Sequence, residues 1–348
     1  MWKQNEVFRQ DLEGLCECGY LPWRELEDKC VFITGGTGLI GYTVTSALLY
    51  YAMTRGVRIR ALLLVREEEK ARAQFAGQLS DGCDLGFVTG TVEDLPGIDE
   101  RIDYIIHGAC PTASRFFVDH PAETARTIFS GTANVLELAR EKNVRGMVFL
   151  SSMEVYGDIR ERRILKENDL GTVDLYSTRS VYPEGKRMAE NLCCAYASEY
   201  RVPVCTARLC QTFGPGVKKE DNRVFAYMAR MALSGEDICL STSGAKENMY
   251  LYTADAAGAI LLLLLRGERG SAFNVGNPDT YGSVKRMGEL VAATLGGGRI
   301  CVRTSTGGDA GIYRPDGFLK LDVGKLQALG WHPSTGLEEM FRRMAACL

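Results

Sequence analysis

The stretch CVFITGGTGLIGYTVTSALLYYAMTRG, residues 30–56, decides the fold. CVFIT is short, apolar and partly β-branched, which suits a buried strand. YTVTSALLYYAMTRG reads as a helix, and Gly35, Gly38 and Gly41 between them follow a G-x-x-G-x-x-G spacing. Glycines there permit a tight turn and let backbone amides approach a pyrophosphate at a helix N-terminus. A glycine triplet is weak evidence alone and strong between a strand and a helix. Gly35, Thr37, Gly38, Leu39, Ile40 and Gly41 are therefore the candidate cofactor-binding residues.

Working outward, VRIRALLLV (57–65), GFVTG (86–90), IDYIIHG (102–108), MVFL (147–150) and VPVCTARL (202–209) read as further strands. Helical segments such as PAETARTIFSGTANVLELAREKN (121–143) alternate with them. This order predicts an α/β chain with a Rossmann-type, doubly wound parallel sheet and a ligand at the C-terminal strand ends. The second strand runs into Arg66, where an NAD enzyme usually places an acid. Arg66 suits the 2′-phosphate of NADP, whereas Glu67 beside it can take the NAD role, so both dinucleotides stay open. Beyond residue 205 the alternation loosens. Residues 29–205 are expected to form the dinucleotide-binding domain, and 206–348 a smaller, interwoven substrate-binding domain. QTFGPGVKKEDNRVF (211–225) reads as a loop able to cover substrate. Residues 1–28 read as a helical lead-in, with Trp2, Val7, Phe8, Leu12 and Leu15 at roughly helical spacing.

A formal charge of -3 and a pI near 5.8 leave no basic stripe for nucleic acid. The longest apolar run, AAGAILLLLL (256–265), is about half a membrane span and suits a buried helix. Residues 1–14 carry charges throughout and lack the apolar core of a signal peptide, so a cytoplasmic protein is expected. Its twelve cysteines should then stay reduced. His107, His120 and His332 are scattered and no CxxC pair occurs, so no metal site is expected.

The chemistry concentrates in SSMEVYGD (151–158) and SVYPEGK (180–186). Tyr182 and Lys186 lie four apart on a helical segment and share one face. An ammonium one turn away is expected to lower the phenol pKa from about 10. Ser152 can add a second hydroxyl if strand and helix lie side by side. Such a group suits proton transfer to an alcohol or ketone during hydride transfer. Alone, YxxxK is an ordinary helix surface pair; the glycine turn before it gives it weight.

With TGGTGLIG, SSMEVYG and YPEGK together, the chain resembles the extended short-chain dehydrogenase/reductases, the NAD-dependent epimerase/dehydratase family acting on nucleotide sugars. The resemblance spans about residues 29 to 345. YPEGKRMAENLCCAY, QTFGP, the DNRVF segment and LQALGW are most similar to its UDP-glucuronate decarboxylase (UDP-xylose synthase) branch. It implies Tyr182 as acid/base, Lys186 on the cofactor ribose, and Ser152 bonded to the reacting oxygen. Glu154 is implied as a base near the sugar, while Met153 stands where the dehydratases carry an aspartate. A thioether cannot protonate a leaving hydroxyl, which disfavours ordinary dehydration.

For substrate, the resemblance points to Gln211, Arg223, Asn248 and Arg314. Gln211 replaces an asparagine and Asn248 an arginine that grips the nucleotide; Thr91 and Ile128 are further departures. A tightly bound NAD or NADP and a homodimer built on the helices 121–140 and 183–200 are also implied. Three functions follow. The first is a nucleotide-sugar enzyme working through a 4-keto sugar, with epimerisation, decarboxylation or dehydration as outcome. The second is an NADPH-dependent reductase of a non-nucleotide carbonyl compound, favoured by Arg66 and Asn248. The third is a catalytically silent dinucleotide-binding sensor.

Overall fold

Alternate residues of a strand face opposite sides of a sheet, and here both sides are apolar. Val31 and Ile33 enter one core and Cys30 and Phe32 the other; Ala61 and Leu63 split from Leu62 and Leu64 in the same way. Both faces must then be covered, as crossover helices do in a parallel sheet. The computed structural model, which describes residues 5–77, 83–112, 114–305 and 317–348, has this architecture.

Seven parallel strands lie in the order Ala272–Val275, Val204–Leu209, Gly146–Ser152, Tyr104–His107, Lys29–Thr34, Ile59–Val65 and Asp84–Thr89. Helices Leu39–Arg55, Thr253–Arg266 and Glu6–Glu17 cover one face; Pro121–Glu141 and Val181–Glu199 cover the other. The run 256–265 is a buried core helix, and no helix among the described residues is long and apolar enough to cross a membrane. Winding reverses between Lys29–Thr34 and Tyr104–His107, which opens a crevice at their C-terminal ends.

A second, mixed sheet centres on Glu247–Tyr252, flanked by Asn277–Ser283, Phe318–Leu321 and Gln211–Phe213. The loop expected over 211–225 therefore begins as a strand. Phe213 holds it, stacked on Phe225 at 4.6 Å and tilted against Phe341 at 4.8 Å. Ile164–Leu165, from the first half of the chain, pairs with Phe318–Leu321, while Ala272–Val275 returns to the main sheet.

The N-terminal segment is a helix, Glu6–Glu17, whose Asn5 cap accepts the Phe8 amide at 3.0 Å. Phe8, Leu12 and Leu15 are buried as their spacing suggests; Trp2 lies outside the described residues. On the same helix Asp11 is buried, and burial pushes its carboxyl up to about 6. It accepts hydrogen bonds from the Tyr252 hydroxyl at 2.6 Å and Arg343 Nη2 at 2.8 Å, and Arg343 Nε donates to the Tyr252 oxygen at 2.9 Å. This triad ties both chain ends to the central strand of the second sheet. All twelve cysteines are free thiols.

Candidate active site

The crevice is lined first by the glycine turn. Gly35 has φ +73°, and a Cβ there would lie 2.7 Å from the carbonyl carbon of Gly108 across the switch point. Gly38 is the N-cap of helix Leu39–Arg55, and no side chain caps that end. First-turn amides, those of Leu39 and Ile40 among them, are left to an outside acceptor. The Thr37 carbonyl accepts Gln74 Nε2 at 3.1 Å, which steadies the turn. A cradle of close-packed glycines under an uncapped helix start fits a dinucleotide pyrophosphate. Arg66 is exposed just past Val65 and makes no ion pair with the described residues, whereas Glu67 pairs with Lys70 at 2.6 Å.

Ser152 ends the next strand but one and caps a turn, Met153–Tyr156, accepting the Glu154 amide at 3.2 Å. Helix Val181–Glu199 is fastened beside it by two arginines. Arg187 donates to the Val155 and Gly171 carbonyls, each at 2.7 Å, and Arg208 meets Glu190 at 2.6 Å in a buried pair. Glu190 also accepts from the Ser151 hydroxyl at 2.5 Å. These contacts set Tyr182 near enough to Ser152 for that hydroxyl to act on the phenol, with Lys186 one turn on.

The phenol departs from expectation. Burial pushes Tyr182 well above its ordinary value, and Cys110 and Glu154 add to the rise, against the Ser152 hydrogen bond and Arg179. The lowering expected from Lys186 is outweighed because desolvation penalises phenolate. Lys186 is itself buried and turned inward, donating to the Leu150 carbonyl at 2.8 Å with Nζ 5.9 Å from the Tyr182 ring centre.

Beneath the site runs a buried chain of hydrogen bonds absent from the sequence reading. Thr34 Oγ1 accepts the Gly108 and Ala109 amides at 3.2 and 3.1 Å, which leaves its own proton for His107 Nδ1 at 2.7 Å. His107 Nε2 then donates to Thr132 Oγ1 at 3.1 Å, which donates to the Ile128 carbonyl at 2.5 Å. Burial, aided by Lys186, lowers the His107 pKa to about 3, so the ring is neutral. Ile128, read as a departure from the family, thus serves through its backbone.

Two more residues reach the site. Phe117 stacks on Tyr182 with ring centres 4.3 Å apart and planes 10° from parallel. Arg179 pairs with Glu154 at 2.6 Å, its guanidinium carbon 5.5 Å from the Phe117 ring centre. Arg179 is a signal present in the sequence, three positions before Tyr182 and immediately before the stretch 180–186 already singled out.

The expected substrate residues are less uniform. Gln211 lies in the strand that pairs with Glu247–Tyr252, on which Asn248 sits buried with its Oδ1 unpartnered among the described residues. Arg223 is held by Asp221, its Nε 3.0 Å from both carboxylate oxygens. Arg314 lies outside the described residues.

A family model described as "NAD dependent epimerase/dehydratase family" matches residues 31–276. UDP-glucuronic acid decarboxylase 1 of Xenopus tropicalis is 34% identical over 334 residues, which are 95% of this chain and 75% of the relative. Among solved structures, an epimerase from Methanothermobacter thermautotrophicus superposes with a TM-score of 0.76 at 22% identity, covering 93% of each chain. MoeE5, solved in complex with UDP-glucuronic acid and NAD, superposes with a TM-score of 0.73 at 23% identity, covering 90% of this chain and 97% of its own. Structural likeness at such identities speaks for the fold; the matched family model and the 34% identical relative carry the rest. The chain belongs to the NAD dependent epimerase/dehydratase family and is an enzyme of the extended short-chain dehydrogenase/reductase type.

Proposed function

We propose that this enzyme modifies a nucleotide sugar through a transient 4-keto sugar, with decarboxylation of a C5 carboxylate as the leading outcome. One observation carries the reading: Ser152, Tyr182 and Lys186 meet at a C-terminal strand end in a fold whose glycine cradle fits a dinucleotide. The decarboxylase name of the 34% identical relative, and the UDP-glucuronic acid bound by MoeE5, support the choice of sugar.

On this reading Gly35, Gly38 and Gly41 admit the pyrophosphate and Lys186 holds the nicotinamide ribose. When bound, the nicotinamide supplies the acceptor and later the donor of hydride. Tyr182 takes the C4 hydroxyl proton while Ser152 holds that oxygen. Because burial keeps the resting phenol protonated, Tyr182 would first release its own proton to solvent, which a positive charge entering beside it favours, and only then accept the C4 proton. A C4 ketone then makes the C5 substituents labile, and Tyr182 returns its proton when the ketone is reduced.

The test is incubation without added cofactor with UDP-, dTDP-, GDP- and CDP-sugars, weighing the products. Loss of carbon dioxide is expected; loss of water, or an unchanged mass with a new sugar spectrum, would replace it by dehydration or epimerisation. A second reading, NADPH-dependent reduction of a non-nucleotide carbonyl compound, is favoured by Arg66, which has no ion pair among the described residues, by the uncharged Asn248 and by the paired Arg223. Consumption of free NADPH with a ketone, and no turnover of any nucleotide sugar, selects it.

Assembly as a homodimer belongs to the same reading. Phe129 and Met188 stand 40% and 49% exposed on the helices Pro121–Glu141 and Val181–Glu199. Twelve free thiols suit a reducing compartment, here the cytoplasm.

A further inference from the structure

Arg179 and Glu154 form an ion pair whose two charges both act on the Tyr182 phenol, and the pair is incomplete among the described residues. Arg179 Nη2 donates to both carboxylate oxygens, at 2.9 and 2.6 Å. Its side chain is 12% exposed and that of Glu154 21%. Arg179 Nε is buried, and no described residue accepts its proton. A guanidinium offers five donors in a rigid plane, so a group fixed through Nη2 also fixes where Nε points. An unpaired buried donor carries a desolvation penalty that an incoming oxygen removes. The Phe117 ring, packed on Tyr182 and lying under the guanidinium carbon, keeps the plane of the fork from swinging away.

We propose that Arg179 is the residue that reads the C5 substituent of the sugar, its free Nε–H donating to a carboxylate there, with Glu154 as the positioning residue that aims it. This rests on the nucleotide-sugar reading above and assigns Glu154 a role other than that of a base. Charge favours an acidic substituent over a hydroxymethyl group, because a guanidinium–carboxylate contact is charge-assisted. A second buried cation, Lys186, is related to this pair only by way of Tyr182, its Nζ 5.9 Å from that ring centre.

The experiment compares UDP-glucuronic acid with UDP-glucose on the dinucleotide-loaded protein, measuring binding by calorimetry and conversion by mass spectrometry. Arg179→Lys keeps a charge but removes the planar fork. It should weaken binding of UDP-glucuronic acid by about 10- to 100-fold and that of UDP-glucose by less than about 3-fold. Arg179→Gln is the second variant should the lysine perturb folding, and retained dinucleotide with an unchanged circular dichroism spectrum identifies a folded protein. Glu154→Gln should reproduce the discrimination loss in weaker form. Equal weakening for both sugars, or none for either, overturns the assignment. Binding of UDP-glucuronic acid by the wild type without conversion overturns the proposed reaction instead and leaves the Arg179 assignment to the binding data. Failure of the wild type to bind either sugar removes both.

Discussion

Gly41 stands directly beneath Gly35: a Cβ on Gly41 would lie 2.3 Å from the Gly35 carbonyl oxygen and 2.8 Å from the Gly36 Cα. Both neighbours are backbone, so neither can rotate aside. The turn before helix Leu39–Arg55 therefore keeps its shape only while position 41 has no side chain. Gly41→Val should abolish dinucleotide retention, and Gly41→Ala should weaken it by at least about 10-fold, since overpacking a close contact costs about 1–3 kcal/mol. Measurement of cofactor content after purification, with thermal unfolding alongside, checks this. Gly56, which has positive φ but open space around its Cβ position, is the control: Gly56→Ala should cost stability without loss of cofactor.

Tyr182→Phe removes the hydroxyl that faces Ser152 and leaves the stack on Phe117. Turnover should fall by about 10²–10⁴-fold, the usual worth of a positioned acid/base, with dinucleotide still bound. Near-normal turnover would sink the mechanism. Because burial holds the phenol above its ordinary value, the apo protein should show no tyrosinate absorbance assignable to Tyr182 up to about pH 10.

His107 titrates near 3 in the folded chain and near 6.5 when unfolded. A depressed pKa contributes stability that is present above 6.5 and is lost as pH falls toward 3. Between pH 6.5 and 5 the loss from this one group should be roughly 2 kcal/mol. His107→Gln should be less stable at pH 7 by about 1–3 kcal/mol, through its broken links to Thr34 and Thr132, yet less sensitive to acid. Urea unfolding of both proteins at the two pH values decides it; parallel pH dependences would refute the assignment.

Arg343→Ala should destabilise the protein by about 3–5 kcal/mol, because it leaves Asp11 buried opposite Tyr252 without its cation. Arg343→Ala with Asp11→Asn should recover part of that loss. Hydrogen exchange in helix Glu6–Glu17 would report the change locally, and an unaltered exchange rate there would argue against the triad as the clasp of the two chain ends.

Much of this enzyme is legible along the chain. Strand CVFIT, the three glycines and the helix after them form a contiguous unit whose geometry is set by local sterics, so the dinucleotide cradle can be read without tertiary knowledge. Tyr182 and Lys186 share a helix face because four residues make about one turn, and their pairing is equally local. The buried run 256–265 is likewise set by composition.

What the chain does not reveal depends on which side chains are brought together from afar and on how much water they lose. Lys186 is close to Tyr182 in sequence, but its amine turns to the Leu150 carbonyl and burial reverses the expected direction of the phenol pKa. His107 looks like one of three scattered histidines until Thr34 and Thr132 close on its two ring nitrogens. Glu154 is implied by resemblance only as a base near the sugar, and the return of the loop before helix Val181–Glu199 is what gives it Arg179. Periodicity and spacing are properties of neighbours in the chain, so sequence carries them; desolvation and the pairing of distant charges are properties of the packed interior, and folding sets them.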